Sequence, residues 1–400
     1  MPPEPDEAGD AAQPGVHRAT PRLLIATSVP STLTAFLLPY AEHYRQAGWR
    51  VEAISNGVSR VARCVAAFDA VHEIGWTRKP TDPGHLTSAP ARLRQVVREG
   101  GYDIVHAHDP IAAFVTRYAL RGLRAAGTVK VVYTAHGFHF YRGAPPVQAT
   151  VFRALERVAS DWTDRLIVIN QEDLAAAQAF PLARRGGVVY MPGIGVDTAK
   201  YGRDALDPAG AARVRGELGL AADQPLLTMI AEFNPGKRHK DAVAALAASG
   251  LEDAVLALAG DGPLVGEVTA LAADLGIGER VRALGYRNDI PDILAASTAV
   301  LLPSEREGLP RSLMEASSLE VPVITTRIRG VTELVTPETG ILHDVGDVPA
   351  LAAAMRRVVE DPEAAREMGR KGRLKMAEFD LRNVTALHDE LYAGLLTDRP

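Results

Sequence analysis

Two carboxylates eight positions apart, Glu307 and Glu315, stand in the string Pro303-Ser-Glu-Arg-Glu-Gly-Leu-Pro-Arg-Ser-Leu-Met-Glu-Ala316. The apolar run Thr298 to Leu302 has the length and Val/Leu content of a buried strand, and Arg311 to Leu319 has helical apolar spacing. Ser304 to Pro310 is therefore predicted as a strand-to-helix loop at the carboxyl end of a strand, where open parallel sheets bind ligands. Fully helical rise over eight residues would separate the two carboxylates by about 12 Å. With Glu307 in the loop both can face one crevice, where one extended ligand can touch both. Gly308, Leu309 and Arg311 offer backbone N–H groups at a helix N-terminus, a good place for a phosphate. Pro310 at the helix start removes no needed donor. A Glu-x7-Glu spacing by itself is most often coincidence; the strand, loop and helix around it make it a candidate site.

The elements that must hold this loop follow from periodicity. Arg22 to Ser28 reads as a strand, Thr34 to Ala47 as a helix carrying Phe36, Leu37, Tyr40, Ala41 and Tyr44 on one face, and Trp49 to Ser55 as the next strand. This β-α-β unit opens a doubly wound sheet. A basic helix, Pro90 to Glu99, precedes a strand ending in His106-Ala107-His108-Asp109, whose two histidines face the same way. A metal pair would suit them, but no third ligand is near in sequence, which favours a structural role or one lining a crevice. Lys130 to Thr134 exits into Ala135-His136-Gly137-Phe138-His139-Phe140-Tyr141. Leu166 to Asn170 is a strand with Asn170 capping the next helix, and Val188 to Met191 is counted as the sixth strand. The Gly- and Pro-rich segment Pro192 to Asp197 marks a hinge halfway along.

The second half repeats the pattern. Leu226 to Ala231 leads to Glu232-Phe-Asn-Pro-Gly-Lys237-Arg238, and Ala254 to Ala259 turns at Gly260-Asp261-Gly262-Pro263. Val281 to Leu284 ends at Gly285-Tyr286-Arg287, and Val321 to Thr325 precedes a helix opened by Arg329 to Leu334. Helices follow from Asp347 to Asp380, then a last helix from Leu381 to Leu395.

A chain of 400 residues, 47% hydrophobic, can bury two cores of ordinary domain size. Its one cysteine, Cys64, sits among Val61, Ala62, Val65 and Ala66 and reads as a buried thiol; a disulfide framework is excluded, which suits a reducing cytoplasm. No stretch approaches the roughly 20 apolar residues of a spanning helix. Residues 1–20 lack an apolar segment and are expected to be disordered. The net charge of −5 calls for no nucleic-acid partner. Residues 1–190 nevertheless carry 21 Lys+Arg against 17 Asp+Glu, and residues 191–400 carry 23 against 32. The basic first half is open to an anionic acceptor, to peripheral association with an anionic inner leaflet, or to being an ordinary solvated surface.

The pattern Pro-Ser-x-x-Glu-Gly-Leu-Pro-x-Ser-Leu-x-Glu-Ala resembles the signature of retaining GT-B glycosyltransferases of family GT4, and Gly260 to Pro263, Leu284 to Tyr286, Asp289-Ile290 and Leu294 to Ala299 resemble that family's other blocks in order. The resemblance implies an α/β fold of two Rossmann-like, doubly wound domains facing a central cleft. Residues 21–192 would form the acceptor-side domain, 193–380 the nucleotide-sugar domain, and 381–400 a helix crossing back. It implies transfer of a hexosyl or N-acetylhexosaminyl unit, with retention, from a nucleotide diphosphate sugar of the UDP type, with no cofactor and no metal. Glu307 would meet the donor sugar or its oxocarbenium-like transition state and Glu315 the ribose hydroxyls. Lys237 and N–H groups near Ser312 and Leu313 would neutralise the leaving diphosphate, and His136 would bracket the sugar. Gly308, Leu309, Arg238, Gly262, Tyr286 and Arg287 would complete the donor site, and Ser31, Thr32, His108 and His139 would lie on the acceptor side.

Two departures stand out against that family. Val29-Pro30-Ser31-Thr32 replaces a frequent Gly-Gly pair, and Glu232 stands where an arginine is expected. A carboxylate cannot pair with a diphosphate, so the missing contact would fall to Arg238 or Arg311. The His-Gly-Phe-His-Phe string resembles members that add N-acetylhexosamines to polyprenyl-diphosphate-linked sugars for surface polysaccharides. The acceptor implied is a saccharide, lipid-linked or a soluble metabolite, met in the cytoplasm or at the inner membrane face. A UDP-sugar 2-epimerase of the same fold and a catalytically silent sugar-nucleotide binder are the alternatives.

Overall fold

The computed structural model describes residues 20–77, 82–141 and 143–397. The tail expected to be disordered lies outside them except for Thr20. Thirteen strands are described: β1 Arg22–Ala26, β2 Arg50–Ser55, β3 Ala70–Glu73, β4 Ile104–His108, β5 Lys130–Ala135, β6 Arg165–Val168, β7 Val188–Tyr190, β8 Leu226–Ile230, β9 Val255–Ala259, β10 Val281–Gly285, β11 Ala299–Leu302, β12 Val323–Thr326 and β13 Ile341–His343. They form a seven-stranded sheet ordered β3-β2-β1-β4-β5-β6-β7 and a six-stranded sheet ordered β10-β9-β8-β11-β12-β13. The pairs β1 with β2 and β4, β8 with β9 and β11, and β11 with β12 are parallel. In each sheet the order reverses once, between β1 and β4 and between β8 and β11. These are the switch points where crevices open at strand carboxyl ends.

β3 and β13 are absent from the sequence reading, which made β7 the sixth strand. Both are short edge strands, and their Ala-Val-His-Glu and Ile-Leu-His lack the apolar run that marks a strand buried on both faces. β11, Ala-Val-Leu-Leu, is buried throughout, as its composition predicts. The first helix also differs: it starts at Pro30, continues through a π turn at Leu33–Leu37 and ends at Gln46. Ser31 and Thr32 therefore lie in a helical turn rather than in a free loop.

By packing, the chain divides into two compact units. One comprises the residues up to Tyr133 with Trp162–Asp164 and the segment from Leu391 onward; the other is Thr134–Asp161 with Arg165–Glu390. In the first unit Glu52 is buried and accepts from His72 Nε2 at 2.6 Å, from the Tyr102 hydroxyl at 2.5 Å and from Arg50. Burial alone would raise its pKa, but these bonds outweigh it and hold the carboxyl at about 2. Cys64 is free and buried, as expected. At this unit's switch point the Ser28 N–H donates to Asp109 Oδ2 at 2.8 Å, and the Thr32 hydroxyl reaches Asp109 Oδ1 at 3.4 Å. Asp109 itself adopts φ +70°. Tyr392 from the last helix packs against Tyr44 and Trp49 with ring centroids 5.1 and 5.8 Å away.

In the second unit the six-stranded sheet is the core. Leu301 is fully buried in central β11, flanked by β8 and β12. Leu301→Ala should cost about 2–5 kcal/mol, read as an earlier urea midpoint at unchanged m-value.

Candidate active site

The loops after β8 and β11 meet at the second unit's switch point. The Glu305 N–H donates to the Gly236 carbonyl at 2.9 Å, which ties one loop to the other. Beside that tie, Lys237 Nζ lies 2.6 Å from Glu307 Oε1, with the carboxylate side chain only 9% exposed. Lys237 is placed by the turn Pro235–Lys237, whose cap is the Asn234 side chain accepting from the Lys237 N–H at 3.2 Å. Glu232, in the place expected of an arginine, is exposed and accepts from Asn234 Nδ2 at 3.2 Å.

The helix Arg311–Ser318 follows with Pro310 as its N-cap and no side-chain cap. One of its expected phosphate donors is already engaged, because the Leu313 N–H closes a turn onto the Pro310 carbonyl at 3.2 Å. That takes Leu313 out of the expected set, and the reliance on N–H groups at this end falls chiefly on Gly308, Leu309 and Ser312. Glu315 is buried and accepts from Arg311 Nε at 2.7 Å, one helical turn away. The buried Tyr201 phenol faces the same carboxylate; burial first, and then Glu315, push its pKa far up, so it stays a donor. Two donors leave a carboxylate with unused acceptor capacity, so Glu315 can still receive hydroxyls.

Glycines explain how these loops approach so closely. A Cβ on Gly308 would stand 2.1 Å from the His136 carbonyl oxygen, and one on Gly330, at φ +76°, would stand 1.4 Å from the Gly308 carbonyl oxygen. The exit of β5, with His136, is thereby pressed onto the Glu307 loop. Gly262, at φ +153°, is required because a Cβ there would lie 2.5 Å from the Phe233 carbonyl oxygen, and the Phe233 N–H donates to Asp261 at 2.8 Å. Its role is to lock the β9 loop to the β8 loop.

Sequence reasoning missed the group that holds His136's loop. Arg329, nearly buried, donates to Asp173 Oδ1 at 2.8 Å and to the Phe138 carbonyl at 3.1 Å; Asp173 accepts the Phe138 N–H at 3.0 Å. Burial raises the Asp173 pKa while Arg329 and the Asn170 amide oppose it. The Asn170 cap was legible, since its side chain accepts from Asp173 N–H at 2.8 Å, but the partner 156 residues on was not. His139 stacks on Phe152 at 4.7 Å, and burial together with the charges of Arg306 and Arg329 lowers its pKa to about 4. In the first unit His106 and His108 stack at 4.2 Å and His106 Nδ1 lies 2.5 Å from the Tyr392 hydroxyl. Among the described residues no group of three or more His, Cys, Asp or Glu is placed to hold a metal.

The two arginines proposed to replace the missing one are committed elsewhere. Arg238, at φ +57°, bonds Asp241 through Nε at 2.7 Å and through a terminal nitrogen at 3.2 Å; Arg311 is held by Glu315. Arg287 is likewise gripped by Asp289, at 2.8 and 2.7 Å, and by Glu217. Arg213 joins the same network through Asp289 and Asp292, and the Asp289 carboxyl is held well below its usual range, chiefly by Arg287. Tyr286 beside it is 67% exposed, which leaves its ring and backbone available.

The fold and site define a class. A family model described as Glycosyltransferase Family 4 matches residues 36–198, and one described as Glycosyl transferases group 1 matches residues 212–375. EpsD of Bacillus subtilis, a protein named for a glycosyltransferase role, is 33% identical over 92% of this chain and 96% of its own. The Escherichia coli UDP-Gal:alpha-D-GlcNAc-diphosphoundecaprenol alpha-1,3-galactosyltransferase is 31% identical over 67% of this chain and 69% of its own. The Anabaena HepE structure in complex with UDP-glucose superposes with a TM-score of 0.77 at 21% identity, covering 93% of this chain and 99% of that one. The chain belongs to glycosyltransferase family 4, with the GT-B fold, and is a glycosyltransferase.

His239 gives this site a pH dependence. It is buried, stacked on Phe233 at 4.1 Å, and its ring nitrogens make no well-formed hydrogen bond. Burial, aided by the Lys237 charge and opposed by the Ala231 backbone, lowers its pKa to about 4. A folded-state pKa below the unfolded value favours the neutral ring, so this stability is present above about pH 6.5 and is lost as pH falls toward 4. His239→Phe should flatten the fall of melting temperature between pH 7 and pH 4; a variant with the full wild-type slope would remove His239 from the account.

Proposed function

We propose that the chain transfers a hexosyl or N-acetylhexosaminyl unit from a UDP-sugar, with retention at the anomeric carbon, to a saccharide carried on a polyprenyl diphosphate. The observation that carries the donor assignment is the Lys237–Glu307 pair at the second switch point, beside the N-terminus of Arg311–Ser318. A diphosphate entering there competes with Glu307 for the Lys237 ammonium. The phosphate would gain Lys237 and the N–H groups of Gly308, Leu309 and Ser312, and Glu307 would be released to face the sugar.

In this reading charge develops on the leaving diphosphate as the glycosidic bond breaks, where fixed donors and an ammonium lower the barrier most. Glu307 stabilises the positive character on the sugar ring. Glu315, aimed by Arg311 and Tyr201, takes the ribose diol. His136, whose carbonyl rests against Gly308, is assigned to bracket the sugar. Protein groups do the neutralising, so no divalent ion is needed. The lipid-linked acceptor follows the name of the Escherichia coli relative and the His136-to-Phe140 string, and the reaction is assigned to the cytoplasmic face, where a chain with one buried thiol is at home.

Glu307→Ala should keep UDP binding and lose transfer by about a hundredfold or more, the range of one lost transition-state contact. Lys237→Ala should weaken both UDP binding and turnover. The assay is release of UDP from UDP-sugars, first by slow hydrolysis and then with lipid-linked saccharides; a Glu307→Ala enzyme of near-normal rate would refute the role. Turnover should also persist in EDTA, and its loss there would contradict metal independence.

A further inference from the structure

The helix Pro146–Ala159 follows the His136-to-Tyr141 loop and leaves an apolar face in water. Val147 is 79% exposed, Val151 51%, Leu155 39% and Val158 53%. These positions step by four, four and three residues, and at 100° per residue they fall within an arc of about 80°. Single exposed aliphatics are ordinary on a protein surface; four in one stripe on one helix are not. The opposite face packs inward through half-buried Phe152 and buried Glu156 and Ala159.

Charge on this helix is sorted as well. Its only acidic residue, Glu156, is buried, whereas Arg153 and Arg157 are exposed on the flank between the stripe and the buried face. In the last turn of the helix Arg157 donates to the Ala179 carbonyl at 3.2 Å, and just beyond it Arg185 donates to the Ser160 carbonyl at 3.0 Å, which brings exposed Arg184 and Arg185 to the same end. Asp161 offsets Arg185 there, and the balance remains cationic. An apolar stripe bordered by arginines is the signature of a helix lying in the plane of an anionic bilayer, with aliphatics in the acyl boundary and guanidinium groups among the headgroups. Among the described residues no helix is long and apolar enough to cross a membrane, so surface docking is the mode this chain has available.

We infer that Pro146–Ala159 docks the protein on an anionic lipid surface, with Val147, Val151, Leu155 and Val158 inserted and Arg153, Arg157, Arg184 and Arg185 facing the headgroups. The helix is coupled to the candidate site, since Phe152 stacks on His139 at 4.7 Å and the Arg153 guanidinium lies 5.3 Å from the Phe140 ring centre. Docking thus brings the His136-to-Tyr141 loop to the lipid surface, where a lipid-borne acceptor is presented. The inference extends the proposed acceptor, and its test uses vesicles without acceptor so that the two fail separately.

The test is flotation of the full chain with vesicles of phosphatidylcholine alone and of phosphatidylcholine mixed with phosphatidylglycerol. Wild type should float with the anionic vesicles, weakly with the neutral ones, and less as salt rises. Val151→Glu combined with Leu155→Glu should lower anionic-vesicle binding by about tenfold or more, since two inserted side chains become repelled charges. Its melting temperature and its slow hydrolysis of UDP-sugar should stay at wild-type values. Equal binding by variant and wild type, equal binding to neutral vesicles, or no wild-type binding would each overturn the inference. A wild-type dimer in solution that the double variant dissolves, without vesicle binding, would assign the stripe to a second copy instead.

Discussion

An ammonium and a carboxylate 2.6 Å apart, each on a loop leaving a neighbouring strand of the same sheet, are the constraint around which the catalytic half of this chain is arranged. Two such groups in a partly buried crevice are less screened than a surface pair. They can hold each other only because β8 and β11 are adjacent at the reversal of strand order and because the Glu305 N–H fastens the loops together. The pair is also what makes the crevice responsive: whatever takes the ammonium frees the carboxylate. A site built this way keeps its charges balanced and, in the proposed reading, would redistribute them when a diphosphate enters.

Around that pair the second unit is held by backbone contacts that only glycine allows. Gly308 and Gly330 let three loop backbones stack where any side chain would collide, and Gly260 and Gly262 do the same for the β8 and β9 loops. The buried Arg329–Asp173 bridge closes the arrangement by pinning the backbone of Phe138, two residues past His136. Removing one partner of such a bridge strands the other charge in a dry place, which costs more than the bond itself contributes. The geometry of the candidate site thus rests on main-chain contact and one buried ion pair rather than on a rigid helix alone.

The central loop was legible in the sequence because its strand and helix are local and strongly patterned: Thr298 to Leu302 and Arg311 to Leu319 place Glu307 and Glu315 to within a residue or two of their elements. The edge strands β3 and β13 were not, since three or four residues carrying histidine and glutamate have no apolar period to find. Side-chain commitments were the other blind spot. Tyr201 reaching Glu315, Arg329 reaching Asp173 and Glu217 reaching Arg287 are partners 70 to 156 residues apart, and no spacing rule relates them. The glycines, by contrast, were visible as residues and opaque as reasons until their neighbours were known.

A structure of the chain with UDP bound tests the central claim most directly. The β-phosphate should lie against Lys237 and the N–H groups of Gly308, Leu309 and Ser312, the ribose against Glu315, with Lys237 withdrawn from Glu307. Nucleotide bound elsewhere, with Lys237 and Glu307 still joined at 2.6 Å, would contradict it.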